Sequence, residues 1–199
     1  MRESSSVTRA LGERVRIVNH DPRWARLFEA ESHHLRSSLP RDSIGRIEHF
    51  GSTAVPGLAA KPIIDMLVEV PSLDLVHQCI APILQSQGYE YFWRPSWHDP
   101  LRPEYAWFIK RDRHGLRTHH IHMLTANSPD WERLLFRDAL IANPDLAQEY
   151  AHLKRSILET HPDDRVAYAR AKTDFIVRVT EAARNGKIPT RPDKPRRTP

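Results

Sequence analysis

The 199-residue chain is 40% hydrophobic and 28% charged, with a formal net charge of +5. That length suits one domain, and that balance excludes global disorder. No apolar run approaches the ~20 residues needed to span a bilayer, and the single cysteine, Cys79, excludes an internal disulfide and a cysteine-cluster zinc site.

The polar N-terminal stretch lacks the apolar core of a secretory signal, so a cytoplasmic location is expected. Part of the basic excess sits between Lys187 and Arg197, which holds five basic residues and one acid. Elsewhere the two signs are interspersed, as on an ordinary solvated surface. Nucleic acid is therefore not expected as the main partner. A concave site for a small phosphate-bearing molecule or a nucleotide uses the same charge. No pattern sets an oligomeric state.

Residues 1–13 are expected to be disordered, as is the Pro-rich basic tail 186–199, which leaves one domain over 14–185. Arg14 to Val18 alternates polar and apolar and predicts a short strand. Asp21-Pro22 opens a helix, because Asp accepts first-turn N–H groups and Pro suits the first helical position. Trp24, Leu27, Phe28, Glu31 and Leu35 form its mostly apolar stripe. Residues 46–50 predict a strand ending at Gly51-Ser52. Ile63 to Val70 is nearly all apolar and predicts a central strand covered on both faces. Ser72 caps a helix running to about Gly88, with a break or kink expected at Pro82. Strands are predicted at 89–93, 105–110 and 118–125, with residues 111–117 a hairpin-like connection between the last two. Start signals at Ser128-Pro129, Asn143-Pro144 and Asp163/Asp164 open late helices. These carry the stripes Trp131/Leu134/Leu135, Leu146/Tyr150/Leu153/Ile157 and Tyr168/Ala171/Phe175/Val179. Strands and helices mixed early, then helices, predict an α/β (α+β) sheet domain closed by a C-terminal helical layer.

Three groups of residues can carry chemistry. The first centres on Asp65, which breaks an apolar strand; a buried carboxylate is costly unless it is paired or binds a cation. Upstream, Gly51 permits close backbone approach where a strand turns into a loop. Ser52 and Thr53 offer hydroxyls and N–H groups to an anion, and Lys61 adds a point charge for a phosphate. The alternative is that Asp65 only accepts hydrogen bonds from the 51–53 turn. The second group is His120 and His122, which share one face of a strand while His119 takes the other. His-x-His is a metal-ligand spacing; the alternative is a hydrogen-bonded polar patch. The third group is Arg137, Lys154 and Lys172 on the late helices. Tyr150/Lys154 and Tyr168/Lys172 are four apart and share faces. They can present cations to a triphosphate, or each lysine can snorkel into water; Arg137 can instead pair with a carboxylate at the core edge. The aromatic runs 89–98 and 105–108 can stack a flat substrate, but read more simply as strand packing. His49 is noted because it stands just before the Gly-Ser turn.

The segment from His49 to Val70 resembles the signature of the GrpB family, and the resemblance extends over about residues 14–184. It implies the nucleotidyltransferase-like fold, a mixed sheet with flanking helices. In that superfamily a Gly-Ser turn follows the first strand, and an acidic pair one residue apart on the next strand holds divalent metal. Here Gly51-Ser52 precedes Asp65, but Leu67 stands where the second carboxylate belongs, and Glu69 lies further along the same face. A His-x-His strand is typical of the family, so the resemblance implies a divalent ion held by Asp65, His120 and His122. Imidazole ligands favour a softer ion, such as Zn, Mn or Ni, over Mg. Gly51, Ser52, Thr53, Lys61, Arg137, Lys154 and Lys172 are then expected to bind the phosphates of a nucleoside triphosphate (NTP). Asp65 and His120 are the expected catalytic residues, with His120 or Glu69 as the base. The implied activity is metal-dependent transfer of a nucleotidyl group from an NTP to a small acceptor. The alternative is a non-catalytic nucleotide-binding or folding-accessory module, of the kind joined to dephospho-CoA kinase in some bacteria; this chain has no Walker-type Gly-x-x-x-x-Gly-Lys segment. Hydrolysis at a His/Asp metal centre is a third reading.

Overall fold

A computed structural model describes residues 15–95, 103–161 and 164–191. Residues 1–13, most of the basic tail, Asp163, and Ser96, Trp97 and His98 of the aromatic run lie outside the described residues. Helix α1 (Arg23–Ser38) precedes β1 (Ile47–Phe50) and β2 (Ile64–Val70). A helical stretch follows as α2 (Leu73–Leu75), a π-helical segment (Val76–Ile80) and α3 (Ala81–Ser86). Then come β3 (Glu90–Pro95), β4 (Pro103–Arg111) and β5 (Arg117–Thr125). Helices α4 (Arg133–Ala142), α5 (Pro144–Thr160), α6 (Arg165–Ala171) and α7 (Thr173–Arg184) close the chain.

The strands make one mixed sheet in the order β1-β2-β5-β4-β3. β2 is antiparallel to β1 and parallel to β5, and the β5, β4 and β3 pairings are antiparallel. Alternation assigns every side chain to a face. Ile64, Met66, Val68, Ala106, Phe108, Ile121 and Met123 turn to one side and pack on α1 and the helical stretch after β2. Leu67, Tyr105, Trp107, Ile109 and Leu124 turn to the other and pack with Leu134 of α4. A further core, built on Phe136, Leu140, Tyr150, Phe175 and Val179, lies within the late helices. The expected architecture, a mixed sheet flanked by helices with a C-terminal helical layer, therefore forms. Among the described residues no helix is long and apolar enough to cross a membrane.

Several local expectations change. Val18 makes only an isolated antiparallel bridge to Ala60, so the strand expected from Arg14 to Val18 does not form over the described part. Asp21 Oδ1 accepts the Arg23 N–H at 2.9 Å, but Pro22 stands just outside the helix, which begins at Arg23. Leu27 is 46% exposed. On the helical wheel it lies about 60° to one side of Trp24, whereas Ser32 lies to the other, within the buried arc. Glu31 is buried in that stripe because it is paired: the Tyr89 hydroxyl donates to it at 2.5 Å, and Lys110 Nζ lies 2.5 Å from its other oxygen.

The break expected at Pro82 takes the form of the π-helical segment before it. Proline has no N–H to close an ordinary helical turn, and the wider turn absorbs the loss. The late stripe from Tyr168 to Val179 spans two helices that meet at Lys172. Asp164 caps α6, accepting from the Val166 and Ala167 N–H groups at 2.9 and 2.8 Å. Asn143 does not cap α5. Its side-chain N–H groups donate instead to the carbonyls of Ala139 and Pro189. With the Arg191 N–H bonded to the Asp138 carbonyl, this holds the beginning of the tail, through residue 191, against α4.

Candidate functional site

Parallel pairing of β2 with β5 sets Asp65 beside His120 and Leu67 beside His122. Neighbouring residues in a ladder share a face, so Asp65, His120 and His122 converge on the side of the sheet that faces the late helices. One ligand atom from each lies within 4.8 Å of the other two. They form the floor of a cleft of about 620 Å³. Its walls include Phe50, Ser52, Lys61, Tyr105, Arg133, Tyr150, Lys154, Tyr168 and Lys172.

His120 Nδ1 lies 2.9 Å from Asp65 Oδ1. Burial pushes the Asp65 carboxyl up, but the His120 hydrogen bond and the charges of His120, His122 and Lys61 outweigh it and bring it to about 2. Burial lowers His120 to about 4, despite the opposing pull of Asp65. The pair is thus carboxylate and neutral imidazole at pH 7, with Nδ1–H donating to Asp65. That tautomer leaves Nε2 as an acceptor, and Arg117 stands 3.3 Å from it. His122 has a similar neighbour, with Arg133 Nη1 3.4 Å from its Nδ1. The two imidazoles therefore belong to a polar network as well as to a candidate ion site.

Gly51 fixes the other side of Asp65. Its φ is +71°, and a Cβ there would lie 2.6 Å from Asp65 Oδ2. Only glycine meets both demands. The tight bend leads into the 3₁₀ turn Ser52–Ala54. Thr53 is buried and donates to the Ile63 carbonyl at 3.2 Å, with His49 Nε2 3.0 Å from the same hydroxyl. Thr53 serves this packing while still touching the cleft. His49 stacks on Phe28 across the opposite face of the sheet.

The expected cations separate into two groups. Lys61 and Lys172 both stand over the Tyr168 ring, 5.5 and 4.7 Å from its centroid. Lys154 is 2% exposed, lies 3.2 Å from Ser52 Oγ, donates to the Ala59 carbonyl, and rests 4.8 Å over the Tyr150 ring. Burial, then the charges of Lys172 and Arg155, lower its amine to about 7. Arg137 does not line the cleft. Its guanidinium binds Glu48 at 2.8 Å, the His49 carbonyl at 2.8 Å and Asp138 at 2.8 and 3.0 Å. That is the core-edge pairing weighed as its alternative. Glu69 is likewise absent from the lining; it packs against Gly45 at the far end of β2.

Sequence reading gave no role to Arg117, Asp130 or Arg133. Arg133 lies 4.9 Å from the Tyr105 ring centroid and pairs with Asp130 at 3.0 Å. The i,i+3 spacing of Asp130 and Arg133 was the available signal. Strict alternation puts Arg117 with His119, but the β4–β5 register shifts at this end of the ladder, between Lys110 and Arg111. The guanidinium reaches the His120 face.

The family model described as GrpB protein matches residues 14–182. A UPF0157 protein of Pseudomonas aeruginosa is 38% identical over 170 residues, 84% of this chain and 66% of that protein. The UPF0157 protein YqkA of Bacillus subtilis is 37% identical over 175 residues, 87% of this chain and 48% of that protein. The chain thus spans under two thirds of the length of both relatives. A dephospho-CoA kinase of Mycolicibacterium paratuberculosis matches more distantly, 29% identical over 43% of its own length. Among solved structures, the conserved protein GrpB from Enterococcus faecalis superposes with a TM-score of 0.75 at 32% identity, over 86% of this chain and 99% of that one. On the strength of the family match and these identities, the chain belongs to the GrpB family.

Proposed function

We propose that the cleft binds a nucleoside triphosphate together with a divalent cation and transfers the nucleotidyl group to a small acceptor. One observation carries the reading: a carboxylate and two imidazoles converge at the floor of a cleft whose wall also presents Lys61 and Lys172. The donor set, one oxygen and two nitrogens, fits a borderline ion such as Zn or Mn better than Mg. Such an ion would offset the charge that develops on the phosphate. Lys61 and Lys172 bind the phosphates, and Phe50 and Tyr105 give the cleft its apolar wall.

In the transfer, an acceptor hydroxyl or amine attacks the α-phosphorus, the bond to the bridging oxygen breaks, and pyrophosphate leaves. The acceptor proton needs a base. Glu69 stands outside the cleft. His120 lines it, but once committed to an ion it has no lone pair to offer. Lys154, which lines the cleft beside Ser52, is the base this reading assigns.

A second reading has its own support. Leu67 is fully buried in an apolar cluster at the position where a second carboxylate is expected, and the likeness to dephospho-CoA kinase is partial. A module that binds nucleotide without turning it over accounts for both. The test is a thermal-shift titration of nucleoside triphosphates with Mg, Mn, Zn or no metal, on wild type and Asp65→Ala. A ligand bound to the native state raises the melting temperature. The proposal expects a rise that needs triphosphate and metal together and vanishes in Asp65→Ala. No rise under any combination overturns it. Pyrophosphate release separates the enzyme from the silent module.

A further inference from the structure

We propose that Ser52, paired with Lys154, is itself a nucleophile: it takes the nucleotidyl group from the triphosphate before that group passes to the acceptor. The inference rests on the nucleotide reading of the cleft and adds a covalent step to it.

The geometry begins with a lysine in an unusual place. Lys154 is 2% exposed, and the charges that act on it, those of Lys172 and Arg155, are also positive. A buried, uncompensated ammonium is costly, and the cost falls if the amine is neutral. Its position is set from two sides. Tyr150 and Lys154 sit one helical turn apart on α5 and reach the loop after β1 together. There Lys154 Nζ donates to the Ala59 carbonyl and lies 3.2 Å from Ser52 Oγ, with Tyr150 lining the same part of the cleft.

Donor and acceptor roles follow. Burial raises the Tyr150 phenol well above its usual value, so it stays protonated beside Ser52. With Lys154 neutral, the Ser52 hydroxyl proton can turn to the amine 3.2 Å away. A neutral amine satisfies both contacts, giving one N–H to Ala59 and its lone pair to Ser52. The burial that lowers Lys154 to about 7 makes that form available at physiological pH. This is the arrangement of an activated nucleophile: a hydroxyl within reach of a base that is itself oriented by a third group. The bend at Gly51 presents Ser52 in the same cleft as Asp65. Lys61 and Lys172 remain for the phosphates.

The step balances. Ser52 Oγ bonds to the α-phosphorus, the bond to the bridging oxygen breaks, pyrophosphate leaves with the electron pair, and the hydroxyl proton passes to Lys154 Nζ. The acceptor then attacks the same phosphorus. Ser52 leaves with the proton that Lys154 held, and Lys154 takes the proton of the acceptor.

The experiment incubates the full chain with each of the four ribonucleoside triphosphates and Mn, without acceptor. Intact mass is measured after acid quench, and melting temperature in parallel. Wild type should gain one nucleoside monophosphate, mapped to Ser52. Ser52→Ala should gain none while melting as wild type does without nucleotide. Lys154→Arg keeps the charge but offers no base, and Lys154→Met suits the buried position. Both should slow the adduct by at least about 100-fold, the scale of general-base catalysis. A nucleotide-dependent rise without an adduct, or an adduct on another residue, overturns the inference and leaves the nucleotide reading standing. No rise and no adduct overturns both.

Discussion

At the scale of a single side chain, Lys154 makes a measurable claim about pH. Its amine, ordinarily near 10.5, is brought to about 7 by burial. Below pH 7 it is charged in both the folded and the unfolded chain, and folding bears the full desolvation cost. Between 7 and 10.5 the unfolded chain binds more protons than the folded one, so stability rises with pH through that window. The full effect is of order 5 kcal/mol. Lys154→Met should therefore match or exceed wild type in stability near pH 6.5 and lose that advantage by about pH 9.5. Denaturant unfolding at the two pH values checks this. A constant difference between the proteins would mean that Lys154 is charged in the fold. The i,i+4 pairing with Tyr150 was legible from the sequence. Its burial was not, because that depends on how the 52–59 loop folds back onto α5.

At the scale of the element, the bend between β1 and β2 carries the site. Gly51 must combine a positive φ with contact to Asp65, whereas Gly57, also at positive φ, would give a Cβ nothing within 4 Å. Gly57→Ala should cost only the backbone strain, about 1 kcal/mol. Gly51→Ala should cost about 2–3 kcal/mol, because Asp65 must also move. Equal losses in denaturant unfolding would show that the Asp65 contact carries no weight. Strand periodicity was enough to find Asp65 and the His120/His122 face. It could not find their arginine neighbours. Arg133 meets His122 only once α4 folds over the sheet, and Arg117 arrives through a register shift that alternation does not encode. The same limit explains Leu27: an apolar residue at the edge of a stripe reads like one at its centre.

At the scale of the whole molecule, the helical layer must stay docked on the sheet for a cleft to exist. Arg137 of α4 joins the two through Glu48 and the His49 carbonyl of β1, while also pairing with Asp138. Arg137→Met should lower stability by about 2–3 kcal/mol, since it leaves carboxylates at the interface unpaired. The metal-dependent nucleotide response should survive, because Arg137 does not line the cleft. Loss of that response at full stability would return Arg137 to the binding site. The order of strands and helices, and with it the layered architecture, was legible in the hydrophobic periodicity and the turn residues. The separation of Arg137 from Lys61 and Lys172 belongs to the docking of layers, which local pattern does not reach. The nucleotide reading of the cleft is tested most directly by anomalous diffraction from crystals grown with Mn and a non-hydrolysable triphosphate analogue. The expected result is a manganese peak bonded by Asp65, His120 and His122, with the triphosphate against Lys61 and Lys172. A peak elsewhere, or a cleft that takes up neither ion nor triphosphate, would contradict it.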